Sequence, residues 1–162
     1  RLRGLRSKAF DGEGVATKAR DIIADGVLTT WLLDCRSARQ LGLATTGHAS
    51  RGTSSTPSPS VTNLTLAPGT QTPEEMIAEI DQGFLVTELI GMGVNGITGD
   101  YSRGAAGYWI ENGEIAYPVS EVTVAGNLKD MFAAMTPAND LVLRTGVDAP
   151  TVRIDGMMVA GT

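Results

Sequence analysis

A single cysteine and a single histidine in 162 residues set the first limits on this chain. Cys35 alone cannot close an internal disulfide, which fits a reducing compartment and a cytoplasmic protein. His48 alone cannot supply the ligand set of a hydrolytic zinc, commonly paired His with a nearby Glu, and no HExxH-like run exists. No apolar run approaches the roughly 18 residues that span a bilayer, so no membrane partner is expected. The basic start, Arg1 to Lys8, is followed by no signal-peptide h-region. It holds four of the 13 basic residues, and the rest carries nine basic against 18 acidic side chains, a net of −9. Nucleic-acid binding needs clustered cations to displace counterions from phosphates, so no nucleic-acid partner is expected either.

What the chain has is glycine: 20 residues, about 12% against an average near 7%. Seven lie between Gly91 and Glu114. Gly91, Gly93 and Gly96 match the G-x-G-x-x-G of a dinucleotide site, with Glu111 where a ribose-binding acid would stand. That motif needs a helix starting at the glycines to meet the pyrophosphate. Ile97 to Gly104 is too irregular and glycine-rich to begin one, so the nucleotide reading is rejected. Asp100-Tyr101-Ser102-Arg103-Gly104 falls one residue short of a G-x-S-x-G nucleophile elbow, and no helix follows it. Ser102 reads as a loop hydroxyl, not a nucleophile.

Local patterns predict an α+β fold of mixed, mostly antiparallel sheets with hairpins and two or three short helices. Asp25-Gly26 and Asn112-Gly113, each between β-prone runs, predict two primed-turn hairpins. Arg36 to Leu41 predicts a short helix capped by Gly42. Thr72-Pro73-Glu74-Glu75 is a complete capping box and predicts a helix over 73–82, ended by Gly83. Asn127 caps a further helix whose Leu128, Met131, Phe132 and Met135 form a core stripe. Strands are expected at Val61–Ala67, Phe84–Ile90, Glu121–Ala125, Leu141–Leu143 and Val152–Ile154, seven to nine in all. Pro118 is expected to end a strand or mark an edge. The chain reads as one domain over 1–162, with the Ser-, Thr- and Pro-rich 50–60 as a mobile loop.

The run G-V-N-x-x-T-G-D-(Y/F)-S-x-G-x-x-G-x-x-I-E-N-G-E, from Gly93 to Glu114, resembles the carboxyl-terminal domain of the TldD/PmbA family, in its PmbA (TldE) branch. Phe10-Asp11-Gly12-Glu13-Gly14, Ser37-Ala38-Arg39, Thr45-Thr46-Gly47-His48-Ala49 and Met158-Val159-Ala160-Gly161 fit the same pattern in the same order. The family's chains are much longer, so the resemblance implies an amino-terminal domain upstream of this one. It implies a metallopeptidase system acting on unfolded peptides, in which a TldD-like partner carries the zinc. The active branch has a cysteine ligand near the carboxyl end, but Thr145 to Val152 contains none. No metal site and no cofactor are therefore expected in this chain.

The expected partners are a TldD-like subunit, further copies of the chain, and peptide. Candidate contact residues are Asp11, Glu13, His48, Asn95, Thr98, Gly99, Asp100 and Ser102, several of them beside glycines that let backbone approach a ligand. Against this stands the simpler role of short acids and amides in closing their own turns. Strands beside glycine also suit pairing with an extended peptide. A homo-oligomeric binding or assembly module is the alternative.

Overall fold

The computed structural model describes residues 4–161. Part of the basic terminal run, Arg1 and Arg3, lies outside them. In chain order the elements begin with β1 (Ile23–Ala24), β2 (Val27–Leu28), α1 (Cys35–Leu41), β3 (Ala49–Ser50), β4 (Ser58–Pro59) and β5 (Leu64–Thr65). There follow α2 (Pro73–Ala78), β6 (Gln82–Ile90), β7 (Asp100–Glu111), β8 (Glu114–Asn127) and α3 (Leu128–Ala133). The last are β9 (Met135–Pro137), β10 (Val147–Asp148), β11 (Val152–Ile154) and β12 (Met158–Ala160). The fold is α+β, and among the described residues β5–β10 is the one parallel strand pair. The described residues form two compact units: residues 4–65 with 143–148, and residues 66–142 with 149–161.

The first unit is built from turns and caps. Asp25 and Gly26 take φ of 49° and 77°, the left-handed pair that a two-residue hairpin needs, and join β1 to β2. Asp34 caps α1 by accepting from the Ser37 amide at 2.6 Å, and Gly42 ends it at φ 65°. The interior is small and mixed: Leu33, Ala38 and Ala49 are buried together with Asp11, Asp34 and Thr46. In the 50–60 segment, β3 and β4 pair antiparallel and leave the side chains of 51–56 exposed between them.

The second unit is organised by a four-stranded antiparallel sheet, order β12-β8-β7-β6. The long strand β7 starts at Asp100, inside the 97–104 run that reads as irregular, and carries on into the expected hairpin strand before Asn112. At Gly107 an added Cβ would lie 1.9 Å from the Leu85 carbonyl oxygen, so the glycine permits close strand approach. Asn112 and Gly113, at φ 50° and 81°, turn β7 into β8. Their amides donate to the Asp81 and Ile80 carbonyls just beyond α2. Ala105, Val122 and Val124 form the core, packed by Phe84, Tyr101, Val119 and Met157. Burying one such Val removes about 1.5–3 kcal/mol worth of apolar surface from water.

Several local expectations are corrected. The capping box forms, but α2 stops at Ala78, and Gly83 lies inside β6. There a Cβ would meet the Ile80 side chain at 2.6 Å. Pro118 does not end a strand, since β8 runs through it opposite Tyr108, but it does mark an edge as expected. β12 reaches only Thr123–Ala125, so the missing proline N–H is not needed on that side. The 61–67 run pairs only at Leu64–Thr65, and 141–143 forms no strand. Phe132 leaves the expected core stripe: it is 61% exposed, whereas Met131 is buried.

Candidate functional site

In the first unit the structure joins Asp11 and Glu13 by a hydrogen bond and places His48 near Asp11, bonded to Thr46 instead. Asp11 Oδ1 accepts from the amides of Glu13 and Val15, both at 2.9 Å. Its Oδ2 accepts from the Ala49 amide at 2.9 Å. Burial alone would raise this carboxyl's pKa. The amides of Ala49, Val15 and Glu13, with His48 nearby, overcome that and hold it below the ordinary 3.8. Glu13 reaches the start of α1, where its Oε2 accepts from the Cys35 amide at 2.7 Å. Hydrogen bonding to Glu13, then burial, then the carboxylate's charge push the Cys35 thiol up. A raised thiol carries little thiolate and is a poor nucleophile.

His48 turns Nδ1 toward the Thr46 carbonyl at 2.9 Å, and because a carbonyl only accepts, that nitrogen carries the proton. Thr46 Oγ1 in turn accepts from the Leu33 amide at 2.8 Å. Beside this group opens a cleft lined by Arg20, Trp31, Leu33, Leu43 and Thr45. Thr46 carried no signal in the sequence that would have set it beside His48 and Leu33. Its partners are fixed by the fold.

In the second unit Asn95, Thr98, Gly99, Asp100 and Ser102 also come together. Asn95 Oδ1 accepts from the Ile97 and Thr98 amides at 3.0 and 3.2 Å. Thr98 Oγ1 donates to Asp100 Oδ2 at 2.6 Å. The Ser102 amide donates to the Gly93 carbonyl at 2.7 Å, which locates its strand rather than its hydroxyl. Gly99 sits at φ 83°, where a side chain would be strained and would press on Asn127. Asn127, read from the sequence only as a helix cap, ties the group together. Its Oδ1 accepts from the Lys129 amide at 3.1 Å, and its Nδ2 donates to the Thr98 carbonyl at 3.1 Å.

The model for the PmbA/TldA metallopeptidase C-terminal domain matches residues 1–161. The chain belongs to the PmbA/TldD family. It is 51% identical over 161 residues to the metalloprotease PmbA of Escherichia coli O157:H7, covering 99% of this chain and 34% of that one. To a metalloprotease TldD homolog of Haemophilus influenzae it is 28% identical over 173 aligned residues, covering 96% of this chain and 36% of that one. A solved Thermotoga maritima structure, named for modulation of a DNA gyrase, superposes with a TM-score of 0.83 at 39% identity. It is matched over 97% of this chain and 36% of its own. The chain thus spans about a third of the length of the PmbA relatives it matches.

A PmbA/TldD metallopeptidase implies a metal, and the residues present do not fit one. The oxygens of Asp11 are occupied by three amides and Glu13 Oε2 by a fourth. The Cys35 thiol is held protonated beside that carboxylate. Among the described residues no three His, Cys, Asp or Glu side chains lie together as a ligand set. His48 would be a lone donor, and a catalytic zinc takes about three from the protein.

Proposed function

We propose that this domain belongs to a PmbA-branch subunit that contributes structure and peptide contacts, not zinc, to a cytoplasmic peptidase formed with a TldD-like partner. The observation that carries this is the use of the Asp11, Glu13, Cys35 and His48 donors inside the first unit itself. The TldD alignment runs to 173 residues, longer than this chain, so the TldD relative has residues with no counterpart here. Peptide holding is supported by β6, a nine-residue strand at the open edge of the sheet, whose free backbone can pair with an extended segment.

Zinc analysis and peptide hydrolysis on the full-length protein test the reading. The expected result is no tightly held zinc in the isolated subunit and hydrolysis only when a TldD-like chain is added. Stoichiometric zinc held by the isolated subunit overturns it. Hydrolysis by the TldD-like chain alone, unchanged on adding this subunit, favours an assembly module instead.

A further inference from the structure

We propose that Asn95 is a self-modification site: the Gly96 amide closes on the Asn95 side chain, releases ammonia and converts this loop with time, while Asn112 is held unreactive. Asn95-Gly96 and Asn112-Gly113 are both Asn-Gly pairs, and no other asparagine in the chain precedes a glycine. Glycine has no Cβ to shield its amide, so by sequence the two pairs are alike. The structure separates them.

The Gly96 N–H donates to nothing among the described residues, and no atom beyond its chain neighbours lies within 4 Å of where a Cβ would stand. Asn95 Oδ1 accepts from the Ile97 and Thr98 amides at 3.0 and 3.2 Å. Negative charge grows on that oxygen as nitrogen adds to Cγ, so two donors already stand where an oxyanion forms. Ring closure joins adjacent residues, and water alone has to reach the loop from outside.

Asn112 stands differently. The Gly113 amide donates to the Ile80 carbonyl at 2.8 Å, so deprotonating it forfeits a hydrogen bond. The Asn112 amide is tied to the Asp81 carbonyl at 2.8 Å as well. A Cβ at Gly113 would meet the Ala78 carbonyl oxygen at 2.7 Å, so this turn is packed against the end of α2. Using its amide as a nucleophile parts the turn from that helix.

In the reaction the Gly96 nitrogen loses its proton to solvent and bonds to Asn95 Cγ. The Cγ–Nδ2 bond breaks, and Nδ2 leaves as ammonia with a proton taken from water. A second water opens the ring, and no atom is oxidised or reduced. Opening at Cγ gives aspartate, which keeps both amide bonds as a charged and stronger acceptor. Opening at the backbone carbonyl gives isoaspartate, which lengthens the chain ahead of Gly96. That displaces the bond from the Gly99 amide to the Asn95 carbonyl and loosens the Thr98, Asp100 and Asn127 group.

The test is peptide mapping by mass spectrometry of the full-length protein held at mildly alkaline pH, native and in urea, and sampled with time. In the native protein Asn95 is expected to convert at least about tenfold faster than Asn112. In urea the two are expected to convert at similar rates, because the hydrogen bonds that separate them are gone. Gly96→Ala fits the open space and the φ at this position, and is expected to slow Asn95 by about tenfold or more with Asn112 unchanged. Native Asn112 converting as fast as Asn95 overturns the proposal, as does Asn95 converting in urea but not in the native protein. A difference that persists undiminished in urea overturns the structural cause. An unaltered Asn95 rate in Gly96→Ala overturns attack by that amide. None of these outcomes depends on the peptidase role proposed above.

Discussion

The Asp11 carboxylate holds the amide of Ala49, 38 positions away in sequence, at 2.9 Å, and thereby fixes the strand that follows His48 onto the amino-terminal turn. With Glu13 and Val15 this makes three amide donors on one buried carboxylate. Asp11→Asn replaces a charged acceptor by a neutral one whose amide group faces N–H donors. Losing such bonds costs about 1–3 kcal/mol, so the unfolding free energy of the variant, from urea melts, is expected to fall by that amount.

The same carboxylate gives stability an acid limb. Its folded pKa lies below the ordinary 3.8, as do those of Asp34, Asp140 and Asp148, each bonded to backbone amides. A depressed folded pKa contributes stability that is fully present above the unfolded value and is lost as pH falls through the folded one. Stability is therefore expected to hold above about pH 5 and to fall steeply below 3.8. The measurement is a series of urea melts against pH. Asp11→Asn should show a shallower limb, and an identical slope would show that Asp11 does not contribute.

Asn127 offers a sharper comparison, because its two side-chain atoms do different work. Asn127→Ala removes both the cap on α3 and the link to the Thr98 carbonyl, an expected loss of about 1–2 kcal/mol. Asn127→Asp keeps the cap but sets a second carboxylate where Nδ2 lies 3.4 Å from Asp100 Oδ1. That variant is expected to be destabilised at neutral pH and to recover relative to the unaltered protein as pH is lowered. Denaturation of the three proteins at pH 7 and pH 4.5 checks the ordering.

How far the sequence announced these features follows from how local their causes are. The Asp25-Gly26 and Asn112-Gly113 turns, the Thr72–Glu75 box and the Gly42 cap were legible because each is settled within about four residues. The course of β7 through Gly104 and Gly107 was not, since those glycines answer to the crossing backbone of β6. Phe132 escaped for a related reason: helical spacing gives a face, but not what covers it. Among the candidate residues, the types at Asp11 and Asp100 were visible. Their partners, Ala49 and Asn127, are fixed only when strands meet.

Cys35 allows a chemical check on the first unit. Its thiol is pushed up chiefly by the hydrogen bond to Glu13, then by burial and the negative charge. Glu13→Gln removes the charge, so the thiol pKa should fall and the thiolate fraction at pH 8 rise. Alkylation by iodoacetamide is then expected to run several-fold faster in the variant than in the unaltered protein. Equal rates would mean that Glu13 does not control the thiol.

Two glycines of the same stretch separate backbone contact from mere flexibility. At Gly107 a methyl group would meet the Leu85 carbonyl oxygen at 1.9 Å and its carbon at 2.9 Å, both backbone atoms that no rotamer can move. Gly107→Ala must therefore part β6 from β7 at the middle of the sheet, with an expected loss above about 3 kcal/mol. Gly96 has nothing within 4 Å of the same position and no left-handed φ. Gly96→Ala should be neutral to slightly stabilising, by up to about 1 kcal/mol, through the unfolded chain. Parallel thermal melts decide it: if the two variants lose stability equally, the glycines of this segment are not there to let strands touch.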